Sequence, residues 1–207
     1  SGGPFWGKSL NELRRATTLQ AIQHPTWNMG PKVSVDSATL MNKAFEIIEA
    51  RWLFDISPEK IKVIIHRQSI IHAIVEFEDA TAQAVLSAPD MRIFINRALL
   101  ARLPNTTSLV NAPSAIPAHT DSTKIAAGQN GFFEKQNLPR LDLSQLNLTF
   151  EKPDYSIFEG PRLAYEALSA GGIMPAVLCM ADEIAVNKFL AGEITFLDIY
   201  KKIKEIV

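Results

Sequence analysis

The stretch that decides the fold is Lys32-Val33-Ser34-Val35-Asp36-Ser37-Ala38-Thr39-Leu40-Met41-Asn42-Lys43-Ala44-Phe45-Glu46. We interpret it as a short strand, Lys32–Val35, that runs directly into a helix, Ser37–Phe54. Asp36 or Ser37 would cap the start of this helix, because either side chain can accept a hydrogen bond from the first free backbone N–H groups. The stretch therefore predicts a strand-to-helix junction with polar side chains at the junction.

The predicted helix has one apolar and one polar face. At 100° per residue, an apolar stripe about 60° wide is expected to face the core. That stripe consists of Met41, Phe45, Ile48 and Trp52. The polar residues on the opposite side are Thr39, Asn42, Lys43, Glu46 and Glu49. This face presents an amide, an ammonium group and two carboxylates close to the free N–H groups of the helix start.

Such a helix start suits a small phosphorylated ligand. A phosphate would lie near the first turn, held by Ser37, Asn42 and Lys43. Glu46, one turn further on, could hold a divalent cation or a sugar hydroxyl. Periodicity alone leaves another interpretation open, in which this is a solvated helix face with a Lys43–Glu46 ion pair.

The regions around this helix predict an α/β (α+β) catalytic domain over residues 1–103, with a small sheet and a helix-lined site. Residues 1–31 are rich in Gly, Pro, Trp and Met and are interpreted as a lid loop with a short helical stretch near 10–21. Three further strands are predicted after the helix, the last two joined by a turn at Asp79-Ala80. They are Ile61–Ile65, Ile71–Glu78 and Thr81–Ser87.

The second half of the chain predicts a linker followed by helices. Residues 104–155 are interpreted as a linker that contains an insertion at about 105–136, because Pro, Ser, Thr and Asn dominate there. Residues 156–207 would begin a C-terminal helical bundle. Its predicted helices are Arg162–Ala170 and Pro175–Ala191, with a further helix after Thr195 and Asp198, which have capping-box spacing.

Composition excludes several classes of protein. The chain has 207 residues, 47% hydrophobic, with 21 Lys+Arg and 22 Asp+Glu, giving a net charge of −1. Disordered chains are poorer in apolar residues, which excludes this class. Proteins that bind nucleic acid through bulk charge are basic, which excludes that class too. Cys179 is the only cysteine, which excludes an internal disulfide, and its apolar neighbours predict burial. No apolar run is long enough for a membrane span.

Two other motifs offer alternatives. The segment Gly2–Ser9 fits G-x-x-x-x-G-K-[ST], the phosphate loop of an ATP-dependent phosphotransferase. Pro4 argues against that function, since it lacks one of the N–H groups that such a loop needs. The segment His24–Gly30 has the composition of a lid that places Trp27 over a ligand, although a loop pinned to the core by Trp27 fits equally well. His66 and His72 are interpreted as structural.

Taken in order along the chain, these motifs resemble the 1-deoxy-D-xylulose 5-phosphate reductoisomerase family. The matching segments are Ser1–Phe5, His24–Trp27, Met29-Gly30, Val35–Lys43, Glu46, Glu49–Phe54, Gln68–His72, Pro89–Arg92, Leu141–Leu143, Pro153-Asp154 and Pro175–Val177. The resemblance implies an NADP-dependent oxidoreductase and isomerase of the methylerythritol phosphate route to isoprenoids. Its substrate would be rearranged and then reduced by NADPH to 2-C-methyl-D-erythritol 4-phosphate, with bound Mg, Mn or Co. The family generally forms homodimers through its sheet domain.

The resemblance also implies roles for individual residues. Ser1, Ser37, Asn42 and Lys43 would contact the substrate, mainly its phosphate, and His24 would belong to the same pocket. Glu46 would bind both metal and substrate, and with Lys43 would be catalytic. The remaining expected contacts are Trp27 and Met91 near the substrate and Gly30 near the cofactor.

Some expected parts of the family pattern are absent. No glycine-rich strand–turn–helix for NADPH is visible, nor is the D-S-E-H stretch whose Asp and Glu would complete the metal site. We therefore expect an internal fragment that is inactive alone, from a bacterial cytoplasmic or plastid enzyme and not a secreted one. Arg67 stands where the family usually has Pro. The remaining alternatives are the phosphotransferase and a non-catalytic dimerisation module.

Overall fold

A computed structural model describes residues 1–100 and 139–207, and for 96–100 only the backbone. These residues form helices and one two-stranded antiparallel sheet, which confirms the predicted α/β class. The helices are α1 (Leu10–Leu13), α2 (Thr18–Ile22), α3 (Pro31–Ala38), α4 (Met41–Phe54), α5 (Met91–Leu100), α6 (Gly160–Ala170), α7 (Met174–Leu190) and α8 (Asp198–Ile206). The strands are β1 (Ile71–Glu76) and β2 (Ala82–Leu86), and short 3-10 helices occur at Pro58–Lys60 and Leu143–Gln145.

The chain divides into two compact units. The first contains Ser1–Ser69 and Leu148–Val207, and the second contains Ile70–Asn147. The domain boundaries predicted from the sequence, 1–103, 104–155 and 156–207, stay a prediction. The insertion predicted at about 105–136 lies outside the described residues. None of the described helices is long and apolar enough to cross a membrane.

The core of the first unit lies between α4 and the three later helices. Helix α4 packs mainly against α6, and α7 packs against α6, α8 and α3. Met41 and Ile47 of α4 are buried together with Leu163 of α6 and Ile199 of α8. The N-terminal segment joins this core through Phe5, whose ring contacts Phe196 edge-on at 4.7 Å between centroids.

The strand predicted at Lys32–Val35 is wrong, because these residues lie in helix α3. Gly30 is the N-cap residue and Pro31 occupies the first turn, where its fixed φ suits a helix and its missing N–H costs nothing. The strand predicted at Ile61–Ile65 is also wrong. Only Ile65 pairs, in an isolated antiparallel bridge with Glu151 whose two backbone hydrogen bonds measure 2.8 and 2.9 Å.

The helix predicted at Ser37–Phe54 is broken at Leu40, which adopts the left-handed conformation with φ 56°. Two later helices meet this break. The Tyr200 hydroxyl of α8 donates to the Thr39 carbonyl at 2.7 Å. Gly160 of α6 lies so close that a Cβ on it would be 2.7 Å from the Leu40 carbonyl carbon and oxygen. The break is therefore built from tertiary contacts across the first unit.

The faces of the helices also differ from the prediction. On α4 the fully buried residues are Met41, Ala44 and Ile47, whereas Trp52 is 66% exposed. Thr39 is buried rather than part of the polar face, because its side chain lies in the break. The predicted burial of Cys179 is wrong, since the side chain is exposed. The buried residues of helix α7 are instead Leu178, Ala181, Asp182, Ala185, Val186 and Phe189.

The predicted hairpin and C-terminal helices are confirmed. Strands β1 and β2 pair antiparallel with Val75 opposite Gln83, and the turn includes Ala80 at φ 64°. Helices α6, α7 and α8 match the expected C-terminal helices. The backbone N–H and hydroxyl of Thr195 both donate to Asp198 Oδ2, at 3.1 and 2.5 Å, as the spacing of the two residues predicts.

Candidate substrate-binding site

The polar side chains of the first turns of α4 meet at one carboxylate. Asn42 Nδ2 donates to Glu46 Oε1 at 2.8 Å. Lys43 Nζ lies 2.7 and 2.6 Å from the two oxygens of the same carboxylate. The side chains of Lys43 and Glu46 remain 38% and 47% exposed, so they are open to a ligand. An amide, an ammonium group and a carboxylate therefore converge on one accessible spot.

His24 orients the hydroxyl of Ser1. His24 Nδ1 accepts the backbone N–H groups of Thr26 and Trp27, at 3.1 and 2.9 Å. An Nδ1 that accepts cannot carry a proton, so the proton is on Nε2, which lies 2.9 Å from Ser1 Oγ and donates to it. Burial is the largest cause that lowers the pKa of His24, to about 4. The imidazole is therefore neutral near pH 7, and the Ser1 O–H remains available to donate to an anion.

The Ser1-Gly2-Gly3 loop packs on the C-terminal end of α3. A Cβ at Gly3, whose φ is 72°, would lie 2.5 Å from the Ser37 carbonyl oxygen. Only glycine allows this approach, since a side chain would clash with backbone atoms. The backbone of Ser37, a half-buried residue, therefore packs against the loop that carries Ser1.

Charged groups from α4 surround Ser1. The charges of Lys43, Arg67 and Glu46 all act on the backbone nitrogen of Ser1. These charges act on Ser1 because they lie near it. The structure thus brings together the predicted residues Ser1, His24, Asn42, Lys43 and Glu46, and the backbone of Ser37 packs against the same loop.

Three further predicted residues are Trp27, Gly30 and Met91. Trp27 is half-buried in the loop before α3, and its backbone N–H binds His24. Gly30 is exposed at the N-cap of α3. Met91 is the first residue of α5, in the second unit, and is 50% exposed. Their roles toward substrate and cofactor stay predictions.

Glu46 can supply oxygen ligands to a metal ion, but the described residues do not complete a metal site. An accessible carboxylate is the donor that Mg²⁺ and Mn²⁺ prefer. No group of three or more His, Cys, Asp or Glu residues that could hold a metal ion occurs within residues 1–100 and 139–207. Glu46 therefore fits a metal as one ligand of several.

The geometry argues against a nucleoside-triphosphate loop at Gly2–Ser9. Gly3 is packed on Ser37, which leaves no space for phosphates beside its backbone. Lys8 Nζ is bound to Glu12 at 3.0 Å on the surface. Helix α1, which follows, has only four residues and gives little helix dipole for a phosphate.

Sequence reasoning missed a buried ion cluster between α3 and α7. Lys32 Nζ lies 2.7 Å from Asp36 Oδ2 and 2.5 Å from Asp182 Oδ2, and the Asp182 side chain is fully buried. Burial, with the nearby charge of Asp182, raises the pKa of Asp36 to about 7. Two signals were present: Asp182 in an otherwise apolar run, and Lys32 four residues before Asp36. The second signal, the spacing of Lys32 and Asp36, indicates an ion pair only on a helix. It carries no weight while the segment is predicted as a strand.

Comparisons with known proteins agree with these motifs. Residues 1–54 match the model of the 1-deoxy-D-xylulose 5-phosphate reductoisomerase C-terminal domain, and residues 86–207 match that of the DXP reductoisomerase C-terminal domain. The reductoisomerase of Caldanaerobacter subterraneus is 46% identical over 206 residues, covering 99% of this chain and 47% of that protein. The Porphyromonas gingivalis enzyme is 41% identical over 209 residues, covering 100% of this chain and 46% of that protein.

Solved structures give the same assignment. The reductoisomerase of Zymomonas mobilis in complex with NADPH matches with a TM-score of 0.75 and 38% identity, over 99% of this chain and 45% of that one. A reductoisomerase in complex with NADPH, fosmidomycin and magnesium matches with a TM-score of 0.79 and 36% identity, over 99% and 43%. The chain spans about half the length of these relatives. It belongs to the 1-deoxy-D-xylulose 5-phosphate reductoisomerase family.

Proposed function

We propose that this chain provides the substrate-binding half of a 1-deoxy-D-xylulose 5-phosphate reductoisomerase. The complete enzyme rearranges this sugar phosphate and reduces the product to 2-C-methyl-D-erythritol 4-phosphate with NADPH, in isoprenoid biosynthesis. One observation carries the proposal: Asn42, Lys43 and Glu46 converge on one accessible spot near the Ser1–His24 pair. Relatives with this name support it over the whole chain.

The phosphate group is held by hydrogen-bond donors of three kinds. Lys43 supplies an ammonium group and Asn42 supplies an amide N–H. Ser1 supplies a hydroxyl group, whose proton is free to bind the phosphate because His24 donates to the hydroxyl oxygen. The hydroxyl of Ser37 joins them from the end of α3. Charge-assisted hydrogen bonds to a phosphate are about twice as strong as neutral ones, so Lys43 contributes most to affinity.

Glu46 contributes one ligand to a divalent cation, Mg, Mn or Co, and the other ligands come from outside the described residues. A bound cation polarises carbonyl and hydroxyl oxygens of the substrate and stabilises negative charge on them. A related structure contains magnesium together with fosmidomycin and NADPH. The carboxylate of Glu46 holds the reacting end of the sugar, while Lys43 and Asn42 hold its phosphate end.

The loop before α3 covers the site. Trp27 closes over the sugar and excludes water, with the loop anchored through the hydrogen bonds of Thr26 and Trp27 to His24. Gly30, at the end of this loop, approaches the nicotinamide cofactor, which supplies hydride when bound. The family resemblance also implies a substrate-side role for Met91, the first residue of α5.

The family resemblance supports a proposal on assembly and location. The β1–β2 hairpin exposes apolar side chains, including Ile74 at 44%, Val75 at 54% and Val85 at 41%. We propose that this sheet forms a homodimer interface, where these side chains become buried. The enzyme acts in a bacterial cytoplasm or a plastid.

Substitutions in α4 test the proposed function in the complete enzyme. Lys43→Ala and Glu46→Gln are each expected to lower kcat/KM at least about thirtyfold, because each removes a group that contacts the substrate. This corresponds to a loss of about 2 kcal/mol in transition-state stabilisation. Glu49→Gln is the matched control, since Glu49 is an exposed carboxylate one turn further along the same helix. Its kcat/KM is expected to be unchanged. A non-catalytic dimerisation module predicts instead that all three variants keep full activity, and that result would refute the proposal.

A further inference from the structure

Lys32 of α3 is bound on two sides by carboxylates. Its ammonium group lies 2.7 Å from Asp36 Oδ2, one turn further along α3, and 2.5 Å from Asp182 Oδ2 of α7. An oxygen of Glu183, also on α7, lies 3.9 Å away. Because the Asp182 side chain is fully buried, the ammonium group is held between these two helices.

The same ammonium group contacts helix α4. It lies over the ring of Phe45, 5.1 Å from the ring centroid, where a cation is attracted to the face of an aromatic ring. Phe45 is partly buried against the core of the first unit. The side chain of Lys32 therefore joins three helices, α3, α4 and α7.

Phe45 lies between Lys43 and Glu46 along the chain but on a different side of α4. At 100° per residue it is about 100° around the helix from Glu46 and about 160° from Lys43. A contact at this position leaves those two side chains free for a ligand, and it fixes the rotation of α4 about its axis. Since the surface of a helix lies about 5–6 Å from the axis, a rotation of about 10° would move a side chain there by about 1 Å.

Helix α3 is also attached to the loop that carries Ser1. At the C-terminal end of α3 the Ser37 carbonyl oxygen packs on Gly3, where a Cβ would lie only 2.5 Å from it. Lys32 is in the first turn of the same helix. The loop and α4 are therefore both held on α3, the loop through Ser37 and α4 through Lys32.

Stability alone is a weak reason for such a cluster of charges. The cost of taking charged groups out of water largely offsets their attraction, and apolar residues of similar volume often stabilise a core as well or better. The charges do add direction, because an ammonium group bound to both carboxylates has one position over the Phe45 ring. An arrangement of this kind is suited to positioning.

We propose that Lys32 is a positioning residue of the substrate site. Through Phe45 it fixes the rotation of α4, and with it the placement of Lys43 and Glu46 relative to the Ser1 loop. Lys32 acts through these residues and does not itself bind the substrate. The inference rests on the proposed function, because it concerns the same site.

The test measures kcat/KM for 1-deoxy-D-xylulose 5-phosphate in the complete enzyme. Phe45→Leu removes the ring and leaves the ion cluster intact, and it is expected to lower kcat/KM about tenfold, because a displacement of about 1 Å can cost up to about a hundredfold. Lys32→Met combined with Asp182→Asn removes the ammonium group without leaving a second buried carboxylate, and the same loss is expected. All three changes together should also give about a tenfold loss, and not a hundredfold one, since they break the same contact.

Conservative variants and a control complete the set. Phe45→Tyr keeps the ring and Lys32→Arg keeps the cation, so both are expected to stay within about threefold of wild type. Lys188 lies on the same helix as Asp182 and pairs with Glu193 at 3.5 Å on the surface, so Lys188→Met should behave as wild type. Circular dichroism and urea unfolding establish the folded fraction of every variant at the assay temperature.

The outcomes separate this inference from the proposed function. If Lys43→Ala is impaired while Phe45→Leu keeps full kcat/KM, the role of Lys32 is refuted and the proposed function stands. If both variants keep full kcat/KM, both are refuted. The Phe45 variants leave the ion cluster intact, so they decide the question even if the Lys32 variants do not fold.

Three further results would overturn the inference. The first is losses that multiply in the combined variant, which would show that Lys32 and Phe45 act independently. The second is an equal loss in Phe45→Tyr and Phe45→Leu, which would show that the ring face is not needed. The third is a loss of kcat/KM that matches the unfolded fraction, which would show a structural role alone.

Discussion

Two buried carboxylates share one ammonium group at the junction of α3 and α7. Lys32 neutralises only one of Asp36 and Asp182, and the Oδ1 atoms of both are buried without a hydrogen-bond partner among the described residues. Two neighbouring carboxylates with one counter-charge favour the state in which one of them is protonated. In agreement, burial raises the pKa of both side chains, that of Asp36 to about 7.

This cluster makes stability depend on pH. In the folded chain Asp36 keeps its proton up to a pH of about 7, whereas in the unfolded chain it loses the proton near its ordinary pKa of 3.8. The folded state therefore binds more protons between pH 4 and 7, and the free energy of unfolding falls as the pH rises through this window. Asp36→Asn removes this titration while its amide can still bind Asp182. We expect a smaller fall in stability between pH 4 and 7, measured by urea unfolding at several pH values.

Asp55→Asn is the control for this experiment. Asp55 lies at the C-terminal end of α4 with its side chain 93% exposed, and it also pairs with a basic residue, Arg51. Its removal changes the net charge by the same amount without touching the buried cluster. If Asp36→Asn and the wild type show the same pH slope, Asp36 does not titrate in this window and the shared-proton explanation fails.

Among the structural elements, the break between α3 and α4 matters most for the site. It ends α3 at Ala38 and starts α4 at Met41, so that Ser37 and the Asn42–Lys43 pair lie on two helices rather than on one. The Thr39 hydroxyl donates to the Val35 carbonyl at 3.0 Å, and Tyr200 caps the Thr39 carbonyl. The direction of the first turn of α4 is thus fixed by α8.

Tyr200→Phe tests this link. The substitution keeps the ring and removes the hydroxyl that donates to the Thr39 carbonyl, which is buried in the break. The expected loss is about 1 to 3 kcal/mol in the free energy of unfolding, because a buried carbonyl loses its donor. Chemical denaturation of the chain measures it.

Tyr165→Phe gives the comparison. The Tyr165 hydroxyl also donates to a backbone carbonyl, that of Ile61, at 2.9 Å, but the residue is only half-buried. Water can replace this bond, so a smaller loss is expected. If the two variants lower the free energy of unfolding equally, the hydroxyl of Tyr200 stabilises the break no more than a half-buried hydrogen bond would, and the explanation fails.

The same element shows what sequence reasoning could and could not reach. The spacing of Asn42, Lys43 and Glu46 predicted their convergence, because the helical period is local and α4 is regular there. The left-handed Leu40 could not be predicted, since the contacts that impose it come from Gly160 and Tyr200, which are far away along the chain. The alternating Val33 and Val35 suggested a strand, although Gly-Pro at 30–31 favours a helix start. Caps such as Ser9 with Glu12 were readable in principle from the sequence alone.

At the scale of the whole molecule, the described residues contain the cluster proposed to bind phosphate, but no group of three or more side chains that could hold a metal ion. Under the proposed function, the cluster around Ser1 and Lys43 would recognise the phosphate end of the substrate. Glu46 is the one carboxylate of this cluster, and a hard cation needs several oxygen ligands. No glycine-rich strand–turn–helix, the element that binds dinucleotides, occurs among the described residues. We therefore expect substrate binding and hydride transfer to depend on different parts of a complete enzyme.

The 207-residue chain by itself is expected to lack catalytic activity. It is expected to show no NADPH-dependent turnover of 1-deoxy-D-xylulose 5-phosphate, no saturable binding of NADPH, and only weak binding of Mg²⁺ or Mn²⁺. Absorbance at the nicotinamide band measures turnover, and fluorescence and calorimetric titrations measure cofactor and metal binding. The Caldanaerobacter reductoisomerase, assayed in parallel, is the positive control. Oxidation of NADPH that depends on both the substrate and this chain alone would contradict the separation of substrate binding from hydride transfer, because Glu46 and the pocket around Ser1 would then suffice for catalysis.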